Sequence, residues 1–324
     1  MNTNWNIKTL IEAVGYAALI AIFAAMSLYM SSGMILSMFL CTVLLVVLIV
    51  RIDEIAAVFA VIVSYILVFI ITDDFLTSAI IISRFCFPGL ALGWGFKRKK
   101  DFRSLFVLSS SAYLFNLLLV IFLANKIYDV NLINQFILDP IEKMFTQIKE
   151  SEDIAKLFGR GSIDITVLDE LKDTISFFVP GFLLLAASFS GFLMLMFTKF
   201  ILNRLKYDYS YLPMFSQLKV GRTTVAVFVL SFLISRIITN SVISAALLNI
   251  AFILSAVLNI CGLSVIDFFL KRYGIPGIVR VIIYIIGLNI TMFVGLLIPI
   301  IHPFYILAVL ALADSIFDFR KLGK

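Results

Sequence analysis

Arg84 stands near the middle of the apolar run Leu76 to Phe96, and its chemistry is the hardest in the chain to reconcile with its surroundings. At 1.5 Å per residue it lies about 12 Å along a helix from Leu76. A guanidinium at the centre of a bilayer costs at least about 2.5 to 3.5 kcal/mol on insertion scales, so it must face protein or a water-filled cavity and find a partner there. Two kinds of partner are open. A carboxylate of the same chain would make an internal ion pair, whereas an anion from solution would make Arg84 a binding or coupling residue. Asp314, one turn from the end of the last apolar run, is the acid expected to reach it; Glu12 and Asp267 fall nearer an interface. Arg236 is close enough to the end of its run to snorkel.

Asn116, Asn249, Asn259 and Asn289 also fall inside apolar runs. Lipid offers an amide nothing to bond to, so each needs a partner. Such amides either bond helix to helix or line a polar pocket, and Asn116, Asn259 and Asn289 join Arg84 and Asp314 as candidate solute-binding or charge-pairing residues. Ala17, Ala21 and Ala25 recur every four residues and form one small-residue stripe. That stripe packs within the chain or docks a partner membrane subunit.

Enzyme signatures are missing: there is no Gly-rich phosphate loop followed by Lys-Ser or Lys-Thr, no H-E-x-x-H and no G-x-S-x-G, and His302 is the one histidine. Cys41, Cys86 and Cys261 stand alone in apolar runs without metal or redox spacing. The sequence therefore reads as non-enzymatic, with no metal and no cofactor.

The elements that must position these residues follow from hydropathy. Hydrophobic residues make up 62% of the 324 and mean hydropathy is +1.10, well beyond a soluble domain. Apolar runs fall at 10–30, 34–50, 55–71, 76–96 and 105–124, then at 177–202, 225–238, 243–269, 279–297 and 301–317. At about 20 residues per span, the expectation is an all-α polytopic bundle of about ten transmembrane helices. Merging of the last two runs, or loss of the short runs at 34–50 and 225–238, would reduce that to eight or nine.

Lys and Arg fill alternate gaps: 97–103, 199–222, 271–280 and 320–324. Short loops rich in these residues stay cytoplasmic, so both termini are expected in the cytoplasm. Asp73-Asp74 and the stretch from Asn240 to Ser241 then lie outside. The net charge of +6 marks topology against anionic lipid, not nucleic-acid binding. The aromatic and basic gap Tyr207 to Arg222 reads as an interfacial anchor.

Between the two five-helix blocks, 1–124 and 175–324, lies a polar interval, 125–174, with ten acidic and six basic residues. Asp139-Pro140-Ile141-Glu142 has the order of an N-cap, a first-turn Pro and a returning Glu. Ile141, Met144, Phe145 and Ile148 would line one face of the helix that follows. The interval is expected to form an extracytoplasmic amphipathic insertion, either lying at the bilayer surface or closing over an outward cavity.

Four stretches carry a family likeness: Gly89-Leu90-Ala91-Leu92-Gly93-Trp94, Leu212-Pro213-Met214-Phe215, 258–266 and 313–321. They resemble the bacterial YybS-like membrane family, a domain of unknown function, and the resemblance implies an architecture without an activity. The N-terminal half is also remotely similar to the substrate-binding S components of energy-coupling factor transporters, whose first helix uses an Ala-x-x-x-Ala stripe against the coupling subunit. That likeness implies a partner role for Ala17, Ala21 and Ala25. The expectation is a protein that binds a small polar or anionic solute, as a transporter or a transporter subunit; the alternative is a membrane scaffold or regulatory partner.

Overall fold

A computed structural model describes residues 7–29, 33–132, 134–135, 139–140, 143, 165–209, 211–238, 241–297 and 303–321. Ten α-helices and no strand occur among them. They are α1 (Ile7–Tyr29), α2 (Gly33–Arg51), α3 (Glu54–Thr72), α4 (Phe75–Lys97), α5 (Phe102–Tyr128), α6 (Ile165–Arg204), α7 (Arg222–Ile237), α8 (Ser241–Arg272), α9 (Gly277–Leu297) and α10 (Pro303–Phe317). Each apolar run has become one helix. Among the described residues six helices are long and apolar enough to cross a bilayer, and shorter apolar helices occupy 36–51, 277–291 and 305–317. The face expected on Ile141, Met144, Phe145 and Ile148 lies outside the described residues, as does His302.

Polar residues at the gaps punctuate these helices. Asp53 caps α3 by accepting from the Ala56 N–H at 2.6 Å, and Asp74 caps α4 by accepting from the Leu76 N–H at 3.0 Å. Between them Asp73 takes a left-handed φ of 50° and returns its N–H to the Phe69 carbonyl. The acidic pair is therefore a helix stop followed by a helix start. Past α4, the Lys97 ammonium donates to the Ile52 carbonyl at 3.0 Å and ties α4 to the α2–α3 turn.

The distribution of side-chain size is that of a protein solvated by lipid. Most residues buried on α1 and α3 are small, namely Ala13, Ala17, Ala21, Ala24, Ala56, Ala57, Ala60 and Ser64, with Ile20 and Val68 the larger ones, while Ile22, Ile62, Ile66 and Ile70 are exposed. On α9, Val281, Ile282, Ile285, Ile286 and Ile290 are exposed as well. Apolar faces of this extent would aggregate in water. In a bilayer they cost nothing, and small residues at contacts let backbones approach.

Helix contacts divide the chain into two units, residues 1–168 with 186–212, and residues 169–185 with 213–324. This differs from a simple division into 1–124 and 175–324, because α6 contributes to both. In the first unit, α1 packs on α2 and α3, and α2 packs on α4. α4 also packs on α5. Gly191 of α6 meets the α5 backbone: a Cβ there would fall 2.8 Å from the Ser110 nitrogen, and the Ser109 hydroxyl donates to the Gly191 carbonyl at 3.0 Å.

The segment after α6 closes over this unit. Tyr209, expected at the headgroups, is 4% exposed, donates to the Phe96 carbonyl at 3.0 Å and sets its ring edge-on to Phe96. Burial pushes its phenol up to about 12, so it remains a donor. Tyr211, 47% exposed, keeps the interfacial character.

In the second unit α8 packs on α7 and α10, and the 3₁₀ turn Phe215–Gln217 sits against α8. At Gly262 the α8 and α10 backbones nearly touch, so that an added Cβ would lie 2.1 Å from the Leu307 carbonyl oxygen. Neither Gly191 nor Gly262 can take a methyl group without separating two helices. Gly191→Ala and Gly262→Ala should each lower stability by about 1–3 kcal/mol in detergent thermal unfolding. Gly15→Ala, with nothing within 4 Å of its added methyl, should leave the midpoint unchanged or slightly raised.

Candidate functional site

α4 carries Arg84 between two packed faces. Phe85 beside it is 2% exposed, and on its other side the Ser83 hydroxyl accepts from Asn116 Nδ2 of α5 at 2.9 Å. Asn116 thus bonds α5 to α4 at the level of the cation. Four residues on, Pro88 has no N–H to give the Arg84 carbonyl, so position 84 loses a helix hydrogen bond as well as holding a charge.

Arg84 borders a half-open recess lined also by Ala24 and Ser27 of α1, Ser37 and Met38 of α2, and Ile81 and Phe85 of α4. The cavity is about 20 Å³, room for about one water. The Ser27 hydroxyl already donates to the Ala24 carbonyl at 2.6 Å, which leaves its oxygen free to accept. Among the described residues no ion pair and no hydrogen bond ends on Arg84. The fork of N–H donors is the group there that an incoming anion would meet.

Asp314 has a different partner from the one expected. α10 ends with Asp318 in a left-handed turn at φ 49°, its N–H bonded to the Asp314 carbonyl at 2.9 Å, and the reversal swings Arg320 back to Asp314. Arg320 Nε and Nη2 donate to Asp314 Oδ2 at 3.1 and 2.8 Å. Nη2 also reaches the Leu218 carbonyl at 2.8 Å, and Nη1 reaches the Ser216 carbonyl at 2.9 Å and Ser264 Oγ at 2.8 Å. All five guanidinium donors are used. Both side chains of the pair are 1% exposed. The arrangement clamps the 216–218 turn, α8 and α10 together, and Arg84 has no part in it.

A second acid–base cluster lies within the same unit. Asp267 of α8 pairs with Arg280 of α9 at 2.5 Å and accepts from the Tyr284 hydroxyl, one helical turn further along α9. Lys219 pairs with Asp318 at 2.6 Å. Sequence spacing gave no hint of Arg320, Ser264 or Tyr284, since these pairings depend on how loops fold back. The abundance of Lys and Arg at this end of the runs was the available signal, and it reads equally well as topology.

The other candidates separate. Asn259 Oδ1 is buried with no hydrogen-bond partner among the described residues. Asn289 is exposed and bonds back to the Ile285 carbonyl at 2.7 Å. Ala17 and Ala21 are 0% and 3% exposed, and the Ala17 carbonyl accepts from the Ser64 hydroxyl of α3 at 3.0 Å. Ala17 thus packs within the chain, one of the two roles expected of the stripe. Ala25, half-buried, borders an apolar groove of about 510 Å³ between α1 and α3. Among the described residues no three His, Cys, Asp or Glu side chains converge as metal ligands.

A family model described as a predicted membrane protein, DUF2232, matches residues 18–302. The chain belongs to the DUF2232 family of predicted membrane proteins. It is similar to the uncharacterized protein YybS of Bacillus subtilis (strain 168), 24% identical over 248 residues that cover 73% of each chain. No solved structure matches. The Asp314–Arg320 pair, beyond the residues matched by the family model, is a structural clamp, so its disruption should cost stability. Arg320→Ala should destabilise by about 3–5 kcal/mol, because it strands a buried carboxylate, and Asp314→Leu combined with Arg320→Met should recover most of that loss. Unfolding midpoints of the purified variants measure both, and Arg84→Gln should leave the effect of Arg320→Ala unaltered.

Proposed function

We propose that this chain is a multi-pass protein of a bacterial cell membrane, with both termini in the cytoplasm, that takes up a small anionic solute at Arg84 from the outer side. It acts as a transporter or as the solute-binding subunit of one, and it catalyses no reaction. The observation carrying the proposal is a guanidinium in the interior of a membrane helix that faces a half-open recess and has no partner among the described residues. An anion would offset the cost of holding that charge at depth.

Orientation rests on the basic gaps at 97–103, 199–222, 271–280 and 320–324, which the positive-inside rule assigns to the cytoplasm. Arg84 lies nearer the Asp74 end of α4 than the Lys97 end, and the recess is bounded by the last turns of α1 and the first turns of α2. The recess therefore opens outward. At about 20 Å³ it must widen between α1, α2 and α4 to admit a carboxylate or phosphate group. The same tightness favours a second reading, a non-transporting scaffold whose Arg84 is kept by a trapped water.

The two readings differ in ligand stabilisation. A ligand at 100 times its Kd stabilises a protein by about 2.7 kcal/mol, so at least one of a panel of inorganic phosphate, sulfate, acetate and dicarboxylates should raise the unfolding midpoint of the purified protein. Arg84→Gln should abolish the shift, and Arg84→Lys should weaken it, since the planar fork is lost. No shift with any anion, or a shift that survives Arg84→Gln, would contradict the proposal.

A further inference from the structure

α6 contains Pro180, which cannot donate to the carbonyl of Ser176 and whose ring crowds it. The next residue, Gly181, sends its N–H to Oδ1 of Asn249 on α8 at 3.0 Å. The regular partner of that N–H, four residues back, is the Phe177 carbonyl, and Phe177 accepts from the same amide through Nδ2 at 2.8 Å. One carboxamide therefore lies across one rung of the α6 ladder, with its acceptor on the donor and its donor on the acceptor. Nδ2 also reaches the Ala245 carbonyl of its own helix at 3.0 Å, which fixes the amide's orientation. A Cβ on Gly181 would fall 2.3 Å from Oδ1, so glycine is what lets the amide in. Phe178 and Phe182 pack edge-on to Phe252 on either side of the site.

This geometry is more specific than interhelical bonding in general. An amide that only tied α8 to α6 would need one free carbonyl, as Asn116 needs one hydroxyl. Asn249 instead stands in for a peptide group at the place where proline has weakened the ladder, and side-chain insertion beside a proline is where helices bend. The break also falls where the helix changes character: the turns before it hold Asp169, Glu170, Lys172 and Asp173, while the span after it is apolar. Lipid would not satisfy an opened rung at that junction. A side chain that fills it holds the junction in one position, and on its release the Gly181 N–H and the Phe177 carbonyl can bond each other as an ordinary rung.

We propose that Pro180–Gly181 is a hinge in α6 and that the Asn249 carboxamide is its removable latch, setting the resting position of the polar first turns against the span. The proposal predicts coupling between two residues that share no hydrogen bond. With Pro180 present, Asn249→Ala should lower the unfolding midpoint by several degrees and speed amide hydrogen exchange in the peptide covering 177–184 about tenfold. In a Pro180→Ala background, where residue 180 regains its N–H and the ladder can close on itself, Asn249→Ala should change both readouts by less than half as much. Equal effects of Asn249→Ala in the two backgrounds, or no effect in either, would overturn the hinge and leave an ordinary interhelical bond. Should Asn249→Ala alone fail to fold, recovery of a folded protein in the Pro180→Ala, Asn249→Ala double variant supports the latch. Failure of both contradicts it.

Discussion

Hydrocarbon supplies no hydrogen-bond partner, so every polar group carried into it by this chain must be satisfied by the chain itself or by something the chain admits. Most of the structure meets that requirement internally. Arg320 uses all five donors within its own unit, Asn116 bonds to Ser83, Ser64 of α3 bonds to the Ala17 carbonyl of α1, and Asn249 fills the rung beside Pro180. Each bond crosses between elements, and the polar groups therefore fix which helices are neighbours. Apolar packing cannot choose as sharply, because lipid tails are as apolar as Leu and Ile.

Against that background Arg84, like the buried Asn259 Oδ1, is left without a hydrogen-bond partner among the described residues. Both Arg84 and Arg320 lie in or beside apolar helices, yet one is enclosed by carbonyls, a hydroxyl and a carboxylate and the other faces a recess the size of a water. The difference separates a charge satisfied within the chain from one with no partner among the described residues. Pro88 sharpens it by withholding the N–H that the Arg84 carbonyl would otherwise receive. A site that is incomplete in two respects at the same residue is where a ligand has something to contribute, provided that α1, α2 and α4 can separate around it.

Much of the fold was legible in the sequence because the bilayer imposes one length and one polarity on each span. Ten apolar runs became ten helices among the described residues, and the Asp73-Asp74 gap became a stop and a start. The partners of the charges were not legible. Asp314 lies six residues from Arg320, a spacing that no helix brings together, and the contact depends on the left-handed turn at Asp318. Nor did the Ala17, Ala21 and Ala25 stripe say which neighbour it meets; Ser64 of α3 bonds to the Ala17 carbonyl, and Ala56, Ala57 and Ala60 of the same helix are buried as well. Asn249 looked like any buried amide until its rung on α6 was seen. DUF2232 membership marks the chain as a predicted membrane protein and brings no activity, so the proposed function rests on the chemistry of Arg84.

The most direct measurement is the water accessibility of position 84 in an intact membrane. With Cys41, Cys86 and Cys261 replaced and Arg84→Cys introduced, a small membrane-impermeant thiol reagent should modify the new cysteine when added outside the cell. The same reagent confined to the inner face of inverted vesicles should leave it untouched. Failure to react from either face would mean that the recess is sealed and that Arg84 serves packing alone, and reaction from the inner face alone would reverse the orientation on which uptake depends.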